Sequence, residues 1–266
     1  MTDPRRFSEK VNWRVVRDRR EILAWTGDKL AMREEAARRR PDIRIPRTYW
    51  VGTDVAELTS VELPPRWVLK PNNSCGRVYY GHGAVDRDEV ARLRAATADW
   101  LDTREFVRLR EWAYLRARPV LLVEEFIGSA EVPPPDFKIF VFDGVPRFIQ
   151  VVRDRLTLRL LTIFTPEWEQ IRVTSMEPSD PDMPRPRLLD RLLEVAADLG
   201  RGFDHIRVDL YAVDDEIWFG EFTPYSWSGL DRIEPVEVDL AWGDHWRLPD
   251  LQRAAAGALP RVLRRQ

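Results

Sequence analysis

Hydrophobic and polar positions along the chain change period repeatedly, and the changes mark its elements. Residues 206–213 (IRVDLYAV) alternate apolar and polar, Asp214-Asp215 supplies turn chemistry, and 217–222 (IWFGEF) is a second β-rich run, so the pattern predicts a hairpin. A second hairpin is predicted in 136–155 (DFKIFVFDGVPRFIQVVRDR), where two alternating runs flank Asp143-Gly144, a strong type I′ signal. Shorter β-rich runs stand at 45–52, 66–70, 78–83 and 119–128, with a further strand or irregular segment at 156–170. Helical spacing recurs in a lead-in before Gly27, from Asp28 (as N-cap) to Arg39, in Asp86–Trp100, in Arg104–Ala117 and in Leu188–Arg201. Residues 55–60 read as a short connecting helix, 174–187 as an exposed loop rich in Pro, Ser and Asp, and the tail carries a helix around Pro249 to Leu263.

The central hairpin carries acids where a strand should be apolar. Asp209 lies between Val208 and Leu210, and Glu221 follows Trp218-Phe219-Gly220. Both lie at similar distances from the turn, so the two carboxylates face each other across the pair. Side by side they repel, and burial without a partner is costly. Three arrangements relieve this: a solvated face, pairing with Arg207 or another arginine, or a divalent cation, for which carboxylates with waters and phosphates suit Mg²⁺.

Composition narrows the setting. The chain of 266 residues can bury a sizeable core in one or two lobes, and its net charge of −2 gives no case for non-specific nucleic-acid binding. No run approaches the ~18–20 apolar residues of a membrane span, no signal-peptide core is visible, and a single cysteine excludes an internal disulfide framework, so a cytoplasmic protein is expected. Of 42 Lys and Arg residues only Lys10, Lys29, Lys70 and Lys138 are lysines. In so arginine-rich a chain, a retained lysine points to a site that wants a compact ammonium. Lys70 ends a strand that runs into PNNSCGR, a loop whose amides can curl around an anion, and 119–128 turns acidic at Glu124-Glu125. Plain hairpin connections and solvent-facing strand ends explain each of these singly. His82, His205 and His245 are scattered, and no zinc signature or repeat is present.

Taken in order, the phrases GDKLAMRE, WVLKPNNSCG, LVEEFI, DFKIFVFDGVPRFI, FDHIRVDLY and FGEFTPYSWSGL resemble the ATP-grasp superfamily, and within it the TupA-like group, named for a protein of teichuronopeptide (cell-wall polymer) synthesis. The phrases cover roughly residues 27–245. The resemblance implies an α+β fold in which two lobes with antiparallel sheets clasp ATP. The division expected is a helical lead-in (1–27), an N-terminal lobe with the phosphate loop (28–127) and a C-terminal lobe with the metal site and tail (128–266). The pre-ATP-grasp domain common in the superfamily is expected to be absent or vestigial, with the acceptor site built from 174–187 and the tail.

By position, the resemblance implies that Lys29 and Lys70 contact the phosphates, that Asn72, Asn73, Ser74 and Gly76 belong to the loop over them, and that Glu124, Glu125 and the Ile127 backbone hold adenine and ribose. Asp209 and Glu221 would hold Mg²⁺. Thr223 stands where many members carry asparagine, a better ligand. Lys138 and Arg153 or Arg155 would face the transferred phosphoryl group or the acceptor. The activity implied is a carboxylate–amine ligase working through an acyl-phosphate in cell-envelope polymer or natural-product synthesis. A kinase acting on a sugar or polyol hydroxyl needs the same lysines and acids, and a non-catalytic nucleotide-binding partner needs only the binding site. The residues leave the acid and amine open among amino acid, peptide and sugar acid, and leave the oligomeric state open. Phe219, Phe222, Tyr225 and Trp227 near the acids read as packing or as a stacking surface.

Overall fold

A computed structural model describes residues 3–128, 133–153, 158–174, 177–180 and 182–252. In chain order the elements are α1 (Phe7–Arg17), α2 (Glu21–Ala24), α3 (Lys29–Arg39), β1 (Thr48–Gly52), a 3₁₀ turn (Val55–Ser60), β2 (Arg66–Pro71), β3 (Tyr79–His82), α4 (Arg87–Thr97), α5 (Arg104–Leu109), α6 (Trp112–Arg116) and β4 (Leu121–Glu125). They continue with β5 (Asp136–Phe142), β6 (Val145–Arg153), β7 (Leu160–Phe164), β8 (Gln170–Ile171), α7 (Leu189–Gly200), β9 (His205–Val213), β10 (Glu216–Thr223), a second 3₁₀ turn (Ser226–Gly229) and α8 (Val236–Asp244). The strands form two antiparallel sheets, β1-β4-β2-β3 and β10-β9-β5-β6-β7-β8.

In the six-stranded sheet β5 is buried along its whole length. Its sequence DFKIFVF is nearly continuously apolar, as a strand covered on both faces requires. Phe137, Ile139 and Val141 face a core closed by α7, whose Leu189, Leu192, Val195, Ala196 and Leu199 recur at helical spacing. Gly200 lets α7 settle there, because a Cβ at that position would stand 2.6 Å from Val141 Cγ1. Phe140 and Phe142 face a second core with Phe7 and Val11 of α1 and Trp242 of α8. Arg14 of α1 is buried in this layer, donating to the His205 carbonyl (2.7 Å) and to Asp204 (2.6 Å) with its guanidinium over the Trp246 ring.

The four-stranded sheet packs its apolar core on one face. Trp67 and Leu69 of β2 and Leu121 and Val123 of β4 meet the first 3₁₀ turn and α4 in a third core, and Gly81 of β3 leaves room for the Trp67 ring, which a Cβ would meet at 2.1 Å. Alternation then turns Val68, Lys70 and Glu124 to the other face, toward the six-stranded sheet. Helix α3 joins the halves: Met32 and Ala36 pack into the α7-side core, while Arg33 pairs with Glu124 of β4.

The expected hairpins, the helix after Asp28 and the 3₁₀ connection form as the pattern predicts. Asp28 caps α3 by accepting from Leu30 N and Ala31 N. Both turns have the left-handed residues of a type I′ hairpin: Asp143 and Gly144 (φ 48° and 79°), and Asp214 and Asp215 (φ 49° and 65°). The single helix expected over Arg104–Ala117 is broken instead: Arg110 adopts φ 58°, and α5 and α6 separate around Glu111. Most of the tail helix expected around Pro249 to Leu263 lies outside the described residues.

Candidate active site

The central hairpin brings its acids together as the turn geometry requires. Asp209 of β9 and Glu221 of β10 are direct cross-strand partners, and a register shift between Phe219 and Glu221 accommodates Gly220. A Cβ on Gly220 would lie 2.8 Å from the Asp209 carbonyl, so the irregularity depends on glycine. On the next strand Lys138 is opposite Asp209, and its ammonium contacts the Asp209 carboxylate and Asp136 Oδ2 (2.8 Å).

Between the acids stands Arg207, two residues before Asp209 and on the same face. Its Nε and Nη2 hold the two Asp209 oxygens at 2.7 and 2.8 Å, Nη2 donates to Thr223 Oγ1 at 2.9 Å, and Glu221 Oε1 is 3.5 Å away. The arginine pairing that the sequence left open is thus the arrangement seen. Asp209 is buried, which works against its charge, but Arg207 and Lys138 hold the carboxyl below its ordinary range. Glu221 is held more loosely. Its side chain is 23% exposed, and its ion pairs to Arg207 and Lys29 are long, at 3.5 and 3.9 Å.

Across the cleft, Lys29 opens α3 and its ammonium contacts the Ser74 carbonyl. Lys70 Nζ pairs with Glu124 Oε1 at 2.5 Å, and Arg33, lowered by burial to about 10, shares the other Glu124 oxygen. Glu125 accepts from Arg47 N at 3.1 Å. One cleft between the sheets is lined by Lys29, Lys70, Ser74, Gly76, Glu124, Glu125, Ile127, Lys138, Asp209 and Glu221, joined by Cys75, Arg77, Phe126, Asp136 and Tyr211. It holds about 200 Å³.

Other expected residues stand apart. Asn72 is a strut rather than part of the lining: its amide accepts from Leu30 N (3.0 Å) and donates to the Arg118 carbonyl (3.0 Å), fixing the start of α3. Asn73 is buried, and neither of its amide atoms has a hydrogen-bond partner among the described residues. Thr223 sits behind Arg207, outside the cleft wall. Arg153 follows Val152, the partner of Asp136, so alternation points it to the sheet face opposite Lys138, where it pairs with Asp180 at 2.6 Å. Arg155 lies outside the described residues. Phe219 and Phe222 belong to the α7-side core, and Tyr225, just beyond β10, is buried in the second core. The sequence reading named Arg207 only as a possible counter-charge to the acids, and missed Asp136 as a site residue. Each stands two positions from an acid or lysine it did single out, the spacing that puts side chains on one strand face.

Two hard carboxylates facing each other, with one of them only weakly paired, are a donor set that fits Mg²⁺, which takes one or two carboxylates and completes its shell with water and phosphate oxygens. Among the described residues no group of three or more His, Cys, Asp or Glu could hold a metal without such help.

The family model described as TupA-like ATPgrasp matches residues 9–247, most of the chain. The chain belongs to the TupA-like ATP-grasp family. A comparison with curated proteins gives no match. Among solved structures, D-alanine–D-alanine ligase from Bacillus anthracis is similar at 17% identity, covering 77% of this chain and 59% of that one, with a TM-score of 0.47. The Helicobacter pylori D-alanine–D-alanine ligase is similar at 13% identity, covering 85% and 59%, with a TM-score of 0.48. The macrocyclase MdnC of Microcystis aeruginosa, bound with its precursor peptide, is similar at 14% identity, covering 84% and 62%, with a TM-score of 0.39. The TupA-like chain thus corresponds to about three fifths of the length of these structures. Its family rests on the family model, and its two antiparallel sheets are the ATP-grasp fold expected from its sequence.

Proposed function

We propose that this chain is an ATP- and Mg²⁺-dependent carboxylate–amine ligase that forms an amide through an acyl-phosphate. The observation that carries the reading is the facing pair Asp209 and Glu221 at one end of a cleft that also gathers Lys29, Lys70 and Lys138. Charge supports the need for a metal. Lys29, Lys138 and Arg207 are already offset by Asp136, Asp209 and Glu221, so a triphosphate entering this cleft needs a further cation. Magnesium on Asp209 and Glu221 would neutralise phosphate charge. For that, Arg207 would exchange part of its hold on Asp209 for the phosphoryl group, where a planar guanidinium is well suited.

In this reading the lobes of residues 28–127 and 128–266 close on the nucleotide after the lead-in of 1–27. Glu124, Glu125 and the Ile127 backbone take the base and ribose. Lys29 and Lys70 leave Ser74 and Glu124 for phosphate oxygens, and Lys138 faces the γ-phosphate or the carboxylate. The 73–76 loop must shift to admit the ligand, since the present space is below the ~300 Å³ of the smaller ligand sites. The unpartnered Asn73 amide is a reason for it to move. The site then does what phosphoryl transfer demands, positioning and charge stabilisation, and shields the acyl-phosphate from water.

The test uses ¹⁸O-labelled carboxylates (amino acids, short peptides and sugar acids) with ATP and Mg²⁺. The ligase reading expects ADP, an amide and one ¹⁸O in the released phosphate. A stable phosphate ester would replace it with the kinase alternative, and no turnover with any carboxylate would count against it.

A further inference from the structure

The six-stranded sheet turns one face to the nucleotide cleft, and strand register follows that face outward from the site. Lys138 of β5 pairs with Gln150 of β6, which pairs with Ile163 of β7. In the neighbouring row Asp136 pairs with Val152, which pairs with Leu161. Directly paired residues share a face, so Ile163 and Leu161 stand on the side that carries Lys138 and Asp136. They are two strands away, about 10 Å at ~4.8 Å per strand. Lys138 and Asp136 line the cleft, whereas Ile163 and Leu161 line a separate cavity of about 480 Å³. That volume falls within the ~300–1,000 Å³ of small-ligand sites.

The lining suits an apolar group. Leu161, Ile163, Val173 and Ile233 supply aliphatic walls, and Trp227 and Trp242 supply aromatic ones. Both rings rest on the sheet: Trp242 stacks on Phe148 (centroids 3.9 Å apart, planes 12° apart) and Trp227 on Phe140 (5.4 Å, 25°). Phe140 is the residue next to Lys138 on that face of β5, about 7 Å along the strand. Trp227 and Ser228 both have φ 53°, a left-handed conformation that non-glycine residues keep only where the surroundings fix it. Leu230, also in the lining, is 66% exposed, a large apolar side chain left facing solvent. Charge around the cavity balances. Arg159 pairs with Glu177 at 2.9 Å, and Arg232 adjoins Asp231 in the chain, so no net charge selects an ionised group.

Distance then decides between a free amino acid and a peptide. From its carboxyl carbon a single amino acid reaches about 4–7 Å to the tip of its side chain, whereas the side chain of the preceding residue, one ~3.8 Å Cα step further, reaches about 10 Å. That is the separation of the cavity from Lys138.

Resting on the ligase reading above, which puts the reacting carboxylate beside Lys138 and the γ-phosphate, we propose that the carboxylate substrate is a peptide and that this cavity takes the apolar side chain of its penultimate residue. The terminal carboxylate lies at Lys138, the last residue spans β6, and the side chain before it enters between Trp227 and Ile163. The cavity is thus a specificity pocket, built apart from the groups that handle phosphate.

Hydroxylamine attacks an acyl-phosphate to give a hydroxamate and free phosphate, so the activation step can be followed whatever amine the enzyme uses. Wild type, Val173→Trp and Leu230→Asp are given ATP, Mg²⁺, hydroxylamine and one carboxylate at a time. The carboxylates are dipeptides ending in alanine whose first residue is leucine, phenylalanine, serine, glycine or aspartate, together with free amino acids and sugar acids. Hydroxamates are quantified by mass spectrometry. Wild type is expected to use the leucine and phenylalanine dipeptides with kcat/KM about 10-fold or more above the glycine dipeptide and above any free amino acid. Val173→Trp fills the pocket and should lose that preference through KM, while an unchanged affinity for Mg²⁺–ATP shows that the fold is intact. Leu230→Asp changes a side chain already facing solvent, so it spares the fold, and it should lower kcat/KM for the same two dipeptides about 5-fold or more. Equal use of the glycine and leucine dipeptides, a preference for free amino acids or sugar acids, or an unaltered preference in both variants would overturn the proposal. No hydroxamate from wild type with any carboxylate would instead remove the ligase reading on which it stands.

Discussion

At the scale of single residues, Asp209 and Glu221 occupy opposite positions of one pair yet carry different loads. Asp209 is buried between Arg207 and Lys138, so Asp209→Asn leaves two buried cations short of a counter-charge and should cost about 3 kcal/mol of stability as well as activity. Glu221, partly exposed and loosely paired, should lose metal-dependent turnover as Glu221→Gln with less than ~1 kcal/mol of stability lost. Denaturant unfolding alongside an ATP-turnover assay distinguishes the two; equal destabilisation would contradict this division. Lys70→Arg should lower turnover while retaining the Glu124 pair, because a planar fork cannot replace a compact ammonium against phosphate. Wild-type activity in that variant would make the retained lysine coincidental. Legibility also divides by residue. Asp209, Glu221 and Lys138 were readable as polar interruptions of apolar strands, whereas the strut role of Asn72 depends on Leu30 and Arg118, far away in sequence, and no local pattern reports that.

At the scale of elements, period and turn chemistry carried most of the fold. Alternating runs around Asp143-Gly144 and Asp214-Asp215 marked both hairpins, and the Asp28 cap marked α3, because these signals are local to the backbone that obeys them. The break at Arg110 was not readable. Residues 104–117 have continuous helical character, and the break becomes intelligible only from Glu111 meeting Ser228 and Ala113 meeting Tyr225, contacts across more than a hundred residues. The register shift at Gly220 gives an element-level prediction. Gly220→Ala puts a methyl group 2.8 Å from the Asp209 carbonyl, so β10 must move and Glu221 with it. A loss of about 1–3 kcal/mol together with weakened Mg²⁺–nucleotide binding is expected. Unaltered binding would show that the hairpin tolerates the change without re-aiming Glu221.

At the scale of the whole molecule, α1 and the tail are clamped to the six-stranded sheet by a buried charge network. Asp204 accepts from Arg14, Arg20 and Trp246, and next to it His205 lies against Phe142 and Trp246. Burial first, then the nearby Arg14, pulls His205 down to about 3 from its usual 6.5, so the folded state holds it neutral while the unfolded chain protonates it. The unfolded state therefore binds more protons between those values, and stability should fall as pH drops below about 6.5. Asp204, held down to about 2 by Arg14 and Arg20 against its burial, adds a second loss below about 3.8. Thermal unfolding from pH 8 to 2.5 should show this decline, flattened over its first part in His205→Phe; an identical decline in that variant would place the proton uptake elsewhere. No described helix is long and apolar enough to cross a membrane.

The central claim is that this cleft takes Mg²⁺ and nucleotide between its two sheets. A crystal structure with a non-hydrolysable ATP analogue and Mg²⁺ tests it most directly. The account predicts the base beside Glu124 to Ile127, phosphates on Lys29 and Lys70, metal between Asp209 and Glu221, and Arg207 shifted from Asp209 toward the terminal phosphate. A cleft empty at millimolar nucleotide, with Arg207 still holding both oxygens of Asp209, would contradict it.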